Sequence, residues 1–299
     1  METINLSVVL CTYNDGDYLK ESIQSVLDQT YPHFELIVVI DGSTDDSINV
    51  VKSFTDNRLR VFYKPNSGLP DSLNYGIQRA KYKWIVRMDG DDICLPDRFE
   101  NQVKLLKDDI AVVGGQCLLI DGQGMQTGKL ELPLDSKNIK GSLLRGVNPI
   151  VHPCTIINRK YLKNCGGYDT NFKNAQDYDL WLMILGVNSS MINSDKYVLK
   201  LRKHGNNISI KKRNMQSRYG IIAILKYKCH IHRQLTVEEF DAISKILDNS
   251  SVCQKYFDMS AKVVLITGIP KKLLNVIILL TRKFICKKYS SVVKRILTQ

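Results

Sequence analysis

Three carboxylates stand close together at the end of an apolar run, and their type and spacing could hold a metal ion. Residues 84–86 are apolar, and Asp89, Asp91 and Asp92 follow within a few positions. Like charges this close raise one another's pKa values, so a fold tolerates them most easily when a cation lies among them. Ligands that offer only oxygen favour hard cations such as Mg²⁺ or Mn²⁺. The run therefore indicates a divalent metal site, and a solvated acidic turn is the alternative.

Strands and helices, which must position these carboxylates, are predicted to alternate along the first 110 residues. Strand-like runs cover residues 4–11, 34–40, 59–63 and 84–88, and helix-like segments cover residues 18–29, 44–54 and 69–80. This alternation predicts a mostly parallel sheet with helices on both faces. Ligands of such sheets bind beyond the carboxyl ends of the strands. The polar segments after three of the strands, residues 13–15, 41–43 and 89–92, should therefore meet in one cleft.

Charge is unevenly distributed along the 299 residues, whose net charge is +12. Residues 1–100 hold 10 Lys and Arg against 16 Asp and Glu, whereas residues 201–299 hold 20 against 5. The asymmetry suggests an acidic site near the start and an anionic surface met by the end. Hydrophobic residues make up 44% and charged residues 24%, which excludes a disordered or collagen-like chain.

The eight cysteines form no CxxC pair, so neither a zinc cluster nor a disulfide framework is expected. Free thiols in a reducing cytoplasm are the simplest interpretation. The first residues lack the basic start of a signal peptide. No segment offers the ~20 apolar residues that cross a bilayer.

The motifs together resemble the family-2 glycosyltransferases of the GT-A fold. The similar segments stand in family order and span about residues 4–210: residues 8–14, 39–45, 66–68, 73–76, 89–92, 166–169 and 176–181. The resemblance implies an α/β, GT-A-type, mostly parallel Rossmann-like sheet flanked by helices. We expect a catalytic domain over residues 1–210, with a nucleotide-sugar-binding half over 1–110 and an acceptor half over 111–210. A helical, basic C-terminal region would follow over 211–299.

The resemblance also assigns residues to the donor. Tyr13 and Asp41 would contact a uracil, although by position alone Tyr13 could pack on the sheet and Asp41 could form a turn with Gly42. Asp41 must act alone, because Ile40 stands where the family often has a second acidic residue. The predicted nucleotide-sugar-binding residues are Thr12, Tyr13, Asp41, Asn66, Asp89, Gly90 and His204. Asp91 would bind Mn²⁺ or Mg²⁺ directly, with Asp89 at the ribose or the metal and Asp92 in support.

Asp177 matches the catalytic base of the family. A sugar hydroxyl is a poor nucleophile until a carboxylate removes its proton. Asp179 is the rival, and either could instead stabilise a helix N-terminus. Gln176 replaces the family's usual Glu. His152 and Trp181 are candidates for acceptor binding, with a structural histidine and a core tryptophan as the alternatives.

A basic segment, Arg202, Lys203 and His204, resembles one that closes over the pyrophosphate in this family. Such a clamp of cations would stabilise charge on the leaving group. The alternative is an exposed basic loop.

The tail, residues 262–299, carries nine Lys and Arg and no acidic residue around short apolar stretches. This pattern suits an interfacial helix on anionic lipid, and a packed helix with a solvated basic face is the alternative. We therefore expect a cytoplasmic protein, peripheral on the inner face of the cell membrane. Nucleic acid is not expected as a partner, because no recognised nucleic-acid motif accompanies the charge.

The resemblance implies an inverting enzyme of bacterial O-antigen or capsule biosynthesis. It would move a hexose from a UDP-sugar, Gal or Glc in preference to GlcNAc, and form a β-linkage. The acceptor would be a hydroxyl of an undecaprenyl-pyrophosphate-linked saccharide. One alternative is a sugar-nucleotide nucleotidyltransferase, although residues 11–15 lack the Gly-rich basic loop that it needs. The other is a non-catalytic scaffold that binds UDP.

Overall fold

The computed structural model describes residues 3–187, 189–205, 213–228 and 233–248. Their strands are β1 (Leu6–Thr12), β2 (Phe34–Asp41), β3 (Leu59–Lys64), β4 (Trp84–Asp89), β5 (Ile93–Cys94), β6 (Ile110–Ile120), β7 (Gln126–Leu130), β8 (Ile156–Asn158) and β9 (Ser190–Arg202). Their α-helices are α1 (Gly16–Leu27), α2 (Ser47–Lys52), α3 (Leu69–Arg79), α4 (Arg98–Val103), α5 (Ser136–Leu143), α6 (Arg159–Asn164), α7 (Gln176–Gly186), α8 (Arg213–Lys228) and α9 (Val237–Asp248). His152–Cys154 form a short 3₁₀-helix.

The strands form one sheet in the order β3-β2-β1-β4-β8-β6-β9-β5, and β7 pairs with β6. The first four strands are parallel, as the alternation of strands and helices predicts. The second half is mixed, because β8 runs antiparallel to β4 and β6 while β9 runs parallel to β6. Parallel neighbours need long crossovers, whereas a short turn joins β6 to its antiparallel neighbour β7. The α/β fold class is thus confirmed, with a mixed sheet.

Alternating residues of β1 show how helices cover both faces of the sheet. Val8 and Leu10 pack with the apolar residues of α1, whereas Val9 packs on the opposite face with Leu73 of α3. Because successive side chains of a strand point to opposite faces, a run of apolar residues such as β1 can be buried on both. All seven residues of β1 are buried. This core fixes the carboxyl ends of β1, β2 and β4 side by side.

Helices α8 and α9 share a core with residues of the predicted 111–210 half. Ile222 and Ala223 of α8 and Phe240 of α9 are buried in the same apolar cluster as Phe172 and Trp181. The described part of the predicted C-terminal region therefore packs with residues from the predicted 111–210 half. The tail, residues 262–299, lies outside the described residues. Within the described ranges, no helix has both the length and the apolar character that crossing a membrane requires.

Candidate active site

The loops that follow β1, β2 and β4 open into one cleft of about 1130 Å³. The first turn of α7, the end of β9 and one side of α8 complete its walls. Most of the residues that the sequence singles out line it: Thr12, Tyr13, Asp41, Asn66, Asp89, Gly90, Asp91, His152, Asp177 and His204. The prediction that the three polar loops meet in one cleft is confirmed.

The loops after β1 and β2 are held together by hydrogen bonds. Asn14 has a φ of 58°, a left-handed conformation that Asn tolerates better than most residues. Its Oδ1 accepts from the backbone N–H of Thr44 at 2.8 Å, and its own N–H donates to Ser43 Oγ at 3.1 Å. Tyr13, next to Asn14, keeps 51% of its surface exposed on the cleft wall. An open ring on a rigid loop can stack on a flat ligand.

Asp41 is buried and accepts hydrogen bonds from one neighbouring segment. Lys64 Nζ lies 2.7 Å from its Oδ1, and the backbone N–H groups of Ser67 and Gly68 donate at 3.0 and 2.9 Å. Burial alone would raise the pKa of Asp41, but the bonds from Lys64 and Ser67 outweigh it and leave the pKa below its usual value. Asn66 Nδ2 donates to the backbone oxygen of Asp41 at 3.0 Å. Asp41 therefore stays ionised and shapes this end of the cleft.

The three carboxylates after β4 converge, since one oxygen of each lies within 4.8 Å of the others. Asp89 forms an ion pair with buried Arg87, and Asp91 Oδ2 lies 2.9 Å from His204 Nε2. The backbone N–H of Arg202 donates to Asp92 Oδ1 at 2.9 Å. Asp92 Oδ2 is buried and has no hydrogen-bond partner among the described residues.

These residues fit a hard divalent cation. Burial raises the pKa of Asp92 well above its usual value, and the charges of Asp91 and Asp89 raise it further. A buried carboxylate oxygen without a partner is costly, and a cation between the three carboxylates would satisfy it. The donors are all oxygen, which suits Mg²⁺ or Mn²⁺.

Asp15 is a further carboxylate of the cleft, which belongs to the polar segment 13–15 but was not predicted as a site residue. Its Oδ2 accepts from Thr12 Oγ1 at 2.9 Å, and burial together with the charge of Asp91 raises its pKa to about 7. A Cβ placed on Gly90 would lie 2.6 Å from this oxygen. Gly90 thus lets the loops after β1 and β4 approach, and only their tertiary contact brings Asp15 beside Asp91.

Asp177 lies in the first turn of α7 and lines the cleft. Asn148 Nδ2 donates to Asp177 Oδ2 at 2.8 Å. Burial raises the pKa of Asp177, while the N–H of Tyr178, the charge of Arg87 and the bond from Asn148 oppose the rise. A carboxylate with a raised pKa and an open side to the cleft can accept a proton. Asn148 was not predicted as a site residue, because it belongs to no run of charged residues.

Asp179 lies away from the cleft, in a buried ion cluster with α8. Lys226 Nζ donates to both of its oxygens, at 3.0 and 2.9 Å, and lies 3.4 Å from Asp169 Oδ2. Lys226 is 1% exposed. The geometry places only one of the two rival carboxylates, Asp177, where a substrate can reach.

His152 and Trp181, the two acceptor candidates, differ in access. His152 lines the cleft, and its Nε2 lies 2.7 Å from the hydroxyl oxygen of Tyr168. Burial and the charge of Arg87 hold its pKa well below the usual value, so the ring is neutral. Trp181 has no exposed surface and packs edge-on against His152, with ring centroids 5.9 Å apart. A fully buried indole has no free face for a sugar, which favours the core alternative.

The basic segment at the end of β9 divides into two parts. Arg202 is 2% exposed, pairs with Glu21 at 2.6 Å, and donates to the backbone oxygen of Asp91 at 2.8 Å. Its role is to hold the acidic loop against β9. Lys203 is exposed on the cleft wall, and His204 contacts Asp91. Of the three residues, Lys203 is therefore the one with its side chain exposed in the cleft, whereas Arg202 and His204 contact the acidic loop.

Comparison with known proteins gives the family. The sequence model of "Glycosyl transferase family 2" matches residues 7–166. The O-antigen biosynthesis glycosyltransferase WbnJ of Escherichia coli is 35% identical over 184 residues, which are 60% of this chain and 71% of WbnJ. The amylovoran biosynthesis glycosyltransferase AmsE of Erwinia amylovora is 30% identical over 203 residues, 66% of this chain and 75% of AmsE.

Other relatives are longer than the matched part. A glycosyltransferase of Rickettsia felis is 34% identical over 246 residues, 78% of this chain but only 39% of that protein. The chain spans between 30% and 64% of the length of the five Rickettsia relatives.

Solved structures share the fold at low identity. Staphylococcus aureus TarS in complex with UDP-GlcNAc has a TM-score of 0.57 at 20% identity, covering 81% of this chain and 70% of that one. The mannosyltransferase PcManGT of Pyrobaculum calidifontis, in complex with GDP-Man and Mn²⁺, has a TM-score of 0.56 at 18% identity, covering 88% and 81%. The family model covers more than half of the chain, and the fold and the acidic cleft agree with it: the chain belongs to glycosyl transferase family 2.

Proposed function

We propose that the protein transfers a hexosyl group from a UDP-sugar to a hydroxyl of a lipid-diphosphate-linked saccharide, with inversion at the anomeric carbon. The observation that carries this proposal is one cleft with Tyr13 and Asp41 at its nucleotide end, the acidic triad beyond them and Asp177 on another wall. The names of WbnJ and AmsE support a role in polysaccharide assembly. The UDP-GlcNAc complex of TarS supports a nucleotide-sugar donor.

At the donor end, the exposed ring of Tyr13 stacks on uracil. Asp41 accepts the uracil ring N–H while it keeps its bonds to Ser67 and Gly68, because an ionised carboxylate has about four acceptor sites. Asn66 and Thr12 border the ribose and the first phosphate. Lys203 and His204, at the end of β9, offer positive charge or hydrogen-bond donors to the diphosphate.

Asp89, Asp91 and Asp92 are the residues that would hold Mn²⁺ or Mg²⁺. When bound, the cation supplies Lewis-acid stabilisation of the diphosphate leaving group. Asp91 would bind it directly, and Asp89 would share its negative charge between the cation and Arg87. His204 orients Asp91 through their 2.9 Å contact.

Asp177 acts as the general base. The acceptor oxygen forms a bond to the anomeric carbon as the bond from that carbon to the diphosphate oxygen breaks. The hydroxyl proton passes to Asp177, and the electron pair of the broken bond leaves with UDP. Attack from the face opposite the leaving group converts an α-linked donor into a β-linked product. Asn148 keeps the carboxylate turned toward the cleft.

The test is a screen of UDP-Gal, UDP-Glc and UDP-GlcNAc with a synthetic GlcNAc- or GalNAc-diphosphate-lipid acceptor and Mn²⁺. We expect one UDP-sugar to give a disaccharide product whose β-linkage is read by NMR. Titration of UDP by calorimetry is run in parallel. If UDP binds but no UDP-sugar is transferred to either acceptor or to water, the protein is a binding scaffold and the proposal fails.

A further inference from the structure

The Lys and Arg side chains that line the cleft fall into two groups, those that form ion pairs and those that do not. Arg87 pairs with Asp89 and Arg202 pairs with Glu21, and both arginines are buried. The three other cations that line the cleft are exposed, and within the described ranges none of them forms an ion pair: Arg145, Lys173 and Lys203. Lys203 adjoins His204 on the donor side. Arg145 and Lys173 have no role in the donor site.

Both of these cations lie in segments that are connected to Asp177. Arg145 stands in the turn after α5, where its Nη2 donates to Ser142 Oγ at 3.2 Å. The same turn leads to Asn148, which donates to Asp177. Lys173 stands in the segment that leads into α7, shortly before Asp177. Both cations therefore line the same cleft as Asp177.

Helix α8 adds an apolar wall beside the two cations. Gly220, Ile221 and Ile224 line the cleft. A Cβ on Gly146, the residue after Arg145, would lie 3.9 Å from the Cδ1 of Ile224, so the wall adjoins the turn. An apolar strip next to cations matches a ligand that carries an anionic group and a hydrocarbon part.

We propose that Arg145 and Lys173 form a subsite for the phosphate that links the acceptor saccharide to its lipid, with Ile221 and Ile224 against the first part of the lipid chain. This inference rests on the proposed function for the identity of the acceptor. Phosphate suits the pair, because Arg binds its oxygens bidentately and Lys adds a point charge. Because Arg145 and Lys173 line the same cleft as Asp177, we assign the phosphate to the sugar that is glycosylated.

The experiment compares two acceptors with the same sugar and the same short alkyl tail, one joined through a diphosphate and one as a neutral glycoside. The variant is Arg145→Gln with Lys173→Gln. The control is Lys137→Gln with Lys163→Gln, which removes two exposed charges outside the cleft. We expect the variant to raise KM for the diphosphate acceptor at least tenfold, with KM for the neutral glycoside and the Kd for UDP unchanged. The control should change none of them.

Three outcomes overturn the subsite. These are an unchanged KM, an equal rise in KM for both acceptors, and a weakened Kd for UDP without an effect on the acceptor. The last outcome would assign the cations to the donor. Direct titration of the diphosphate acceptor into the protein without donor separates this inference from the proposed function. If the wild type binds it more tightly than the variant yet transfers no sugar, the subsite stands and the proposed transfer fails.

Discussion

At the residue scale, the roles proposed for Asp177 and Asp91 can each be tested by a single substitution. Asp177→Asn keeps the size of the side chain and can still accept the hydrogen bond from Asn148, but it cannot take up a proton from the acceptor. General-base catalysis typically contributes ~10²–10⁴-fold, so we expect a loss of kcat of that order with the Kd for UDP nearly unchanged. Stopped assays of UDP release measure kcat, and calorimetry measures Kd. A mild effect here, with a comparable kcat loss in a folded Asp179→Asn variant, would transfer the role to Asp179.

The pH dependence of kcat reports the environment of Asp177. The base must be ionised, so kcat falls as the pH falls through its pKa. The bond from Asn148 lowers that pKa against the rise caused by burial. Asn148→Ala removes the bond, and we expect the acid limb of kcat to move to higher pH. Rates at saturating substrates between pH 5 and 9 measure the shift. An acid limb that stays in place would mean that Asn148 does not set the ionisation of the base.

Asp91→Ala tests the metal site. We expect transfer to be lost while the protein stays folded, because a metal ligand is removed from the cleft surface rather than from the core. In the wild type, EDTA should abolish transfer and Mn²⁺ or Mg²⁺ should restore it. Turnover, Mn²⁺ titration and a circular-dichroism melt give the three readouts. Near-normal turnover of Asp91→Ala, or activity that survives EDTA, would show the assignment to be wrong.

At the scale of elements, the contact between α7 and α8 fixes two of the walls of the cleft. Lys226 of α8 neutralises Asp179 of α7 in the core. Lys226→Met leaves two buried carboxylates without their cation, and breaking a buried pair from one side costs about 3–5 kcal/mol. We expect the free energy of unfolding, measured with urea, to fall by that order. Lys104→Met, on an exposed pair with Glu100, should cost ~1 kcal/mol or less.

The pH and a second substitution give the controls for this pair. Burial raises the pKa of Asp179 to about 6 even beside Lys226. Without Lys226, an ionised Asp179 has no cation to neutralise it in the core, and the carboxylate is ionised in more of the molecules as the pH rises above this value. The loss should therefore be larger at pH 8 than at pH 5. Adding Asp179→Asn to Lys226→Met should cost less than the sum of the two single losses. Additive losses would mean that the two side chains do not stabilise α7 and α8 jointly.

At the scale of the whole molecule, the tail can be separated from the cleft. Among the described residues, all those that line the cleft precede residue 225, so removal of residues 262–299 should leave the cleft assembled. Attraction to an anionic surface is worth about 1 kcal/mol per Lys or Arg, and salt screens it. We expect the intact protein to float with anionic liposomes at low salt and to float less at high salt. The truncated protein should not float, and it should use a water-soluble acceptor almost normally.

The competing view of the tail makes different predictions. A tail that packs on the catalytic domain would lower the Tm on removal, and activity would fall equally on soluble and lipid-embedded acceptors. Flotation that does not depend on salt, or no flotation at all, would exclude an electrostatic anchor.

The cleft could be predicted largely from the sequence. Continuous apolar runs followed by Asn14, Asp41 and Asp89 specify parallel strands that deliver polar loops to one edge, because carboxyl ends of parallel strands lie together. The second half of the sheet could not be predicted in the same way. β5 and β8 have two and three residues, too few to show a period, and their antiparallel pairing depends on neighbours far along the chain.

The sequence by itself determined the acidic run, the order of the loops and the pair of carboxylates at the start of α7. Only the tertiary structure decided which of that pair lines the cleft. Residues two apart on a helix point about 200° apart, so only one of Asp177 and Asp179 can face the cleft. Lys226, 47 positions after Asp179, holds the Asp179 carboxylate in the core. Trp181 shares a face with Asp177 but lies one turn deeper, where α7 has already entered the core. Arg145, Lys173 and Asn148 line the same cleft as Asp177 because α5, α7 and α8 pack there, and no spacing along the chain encodes that packing.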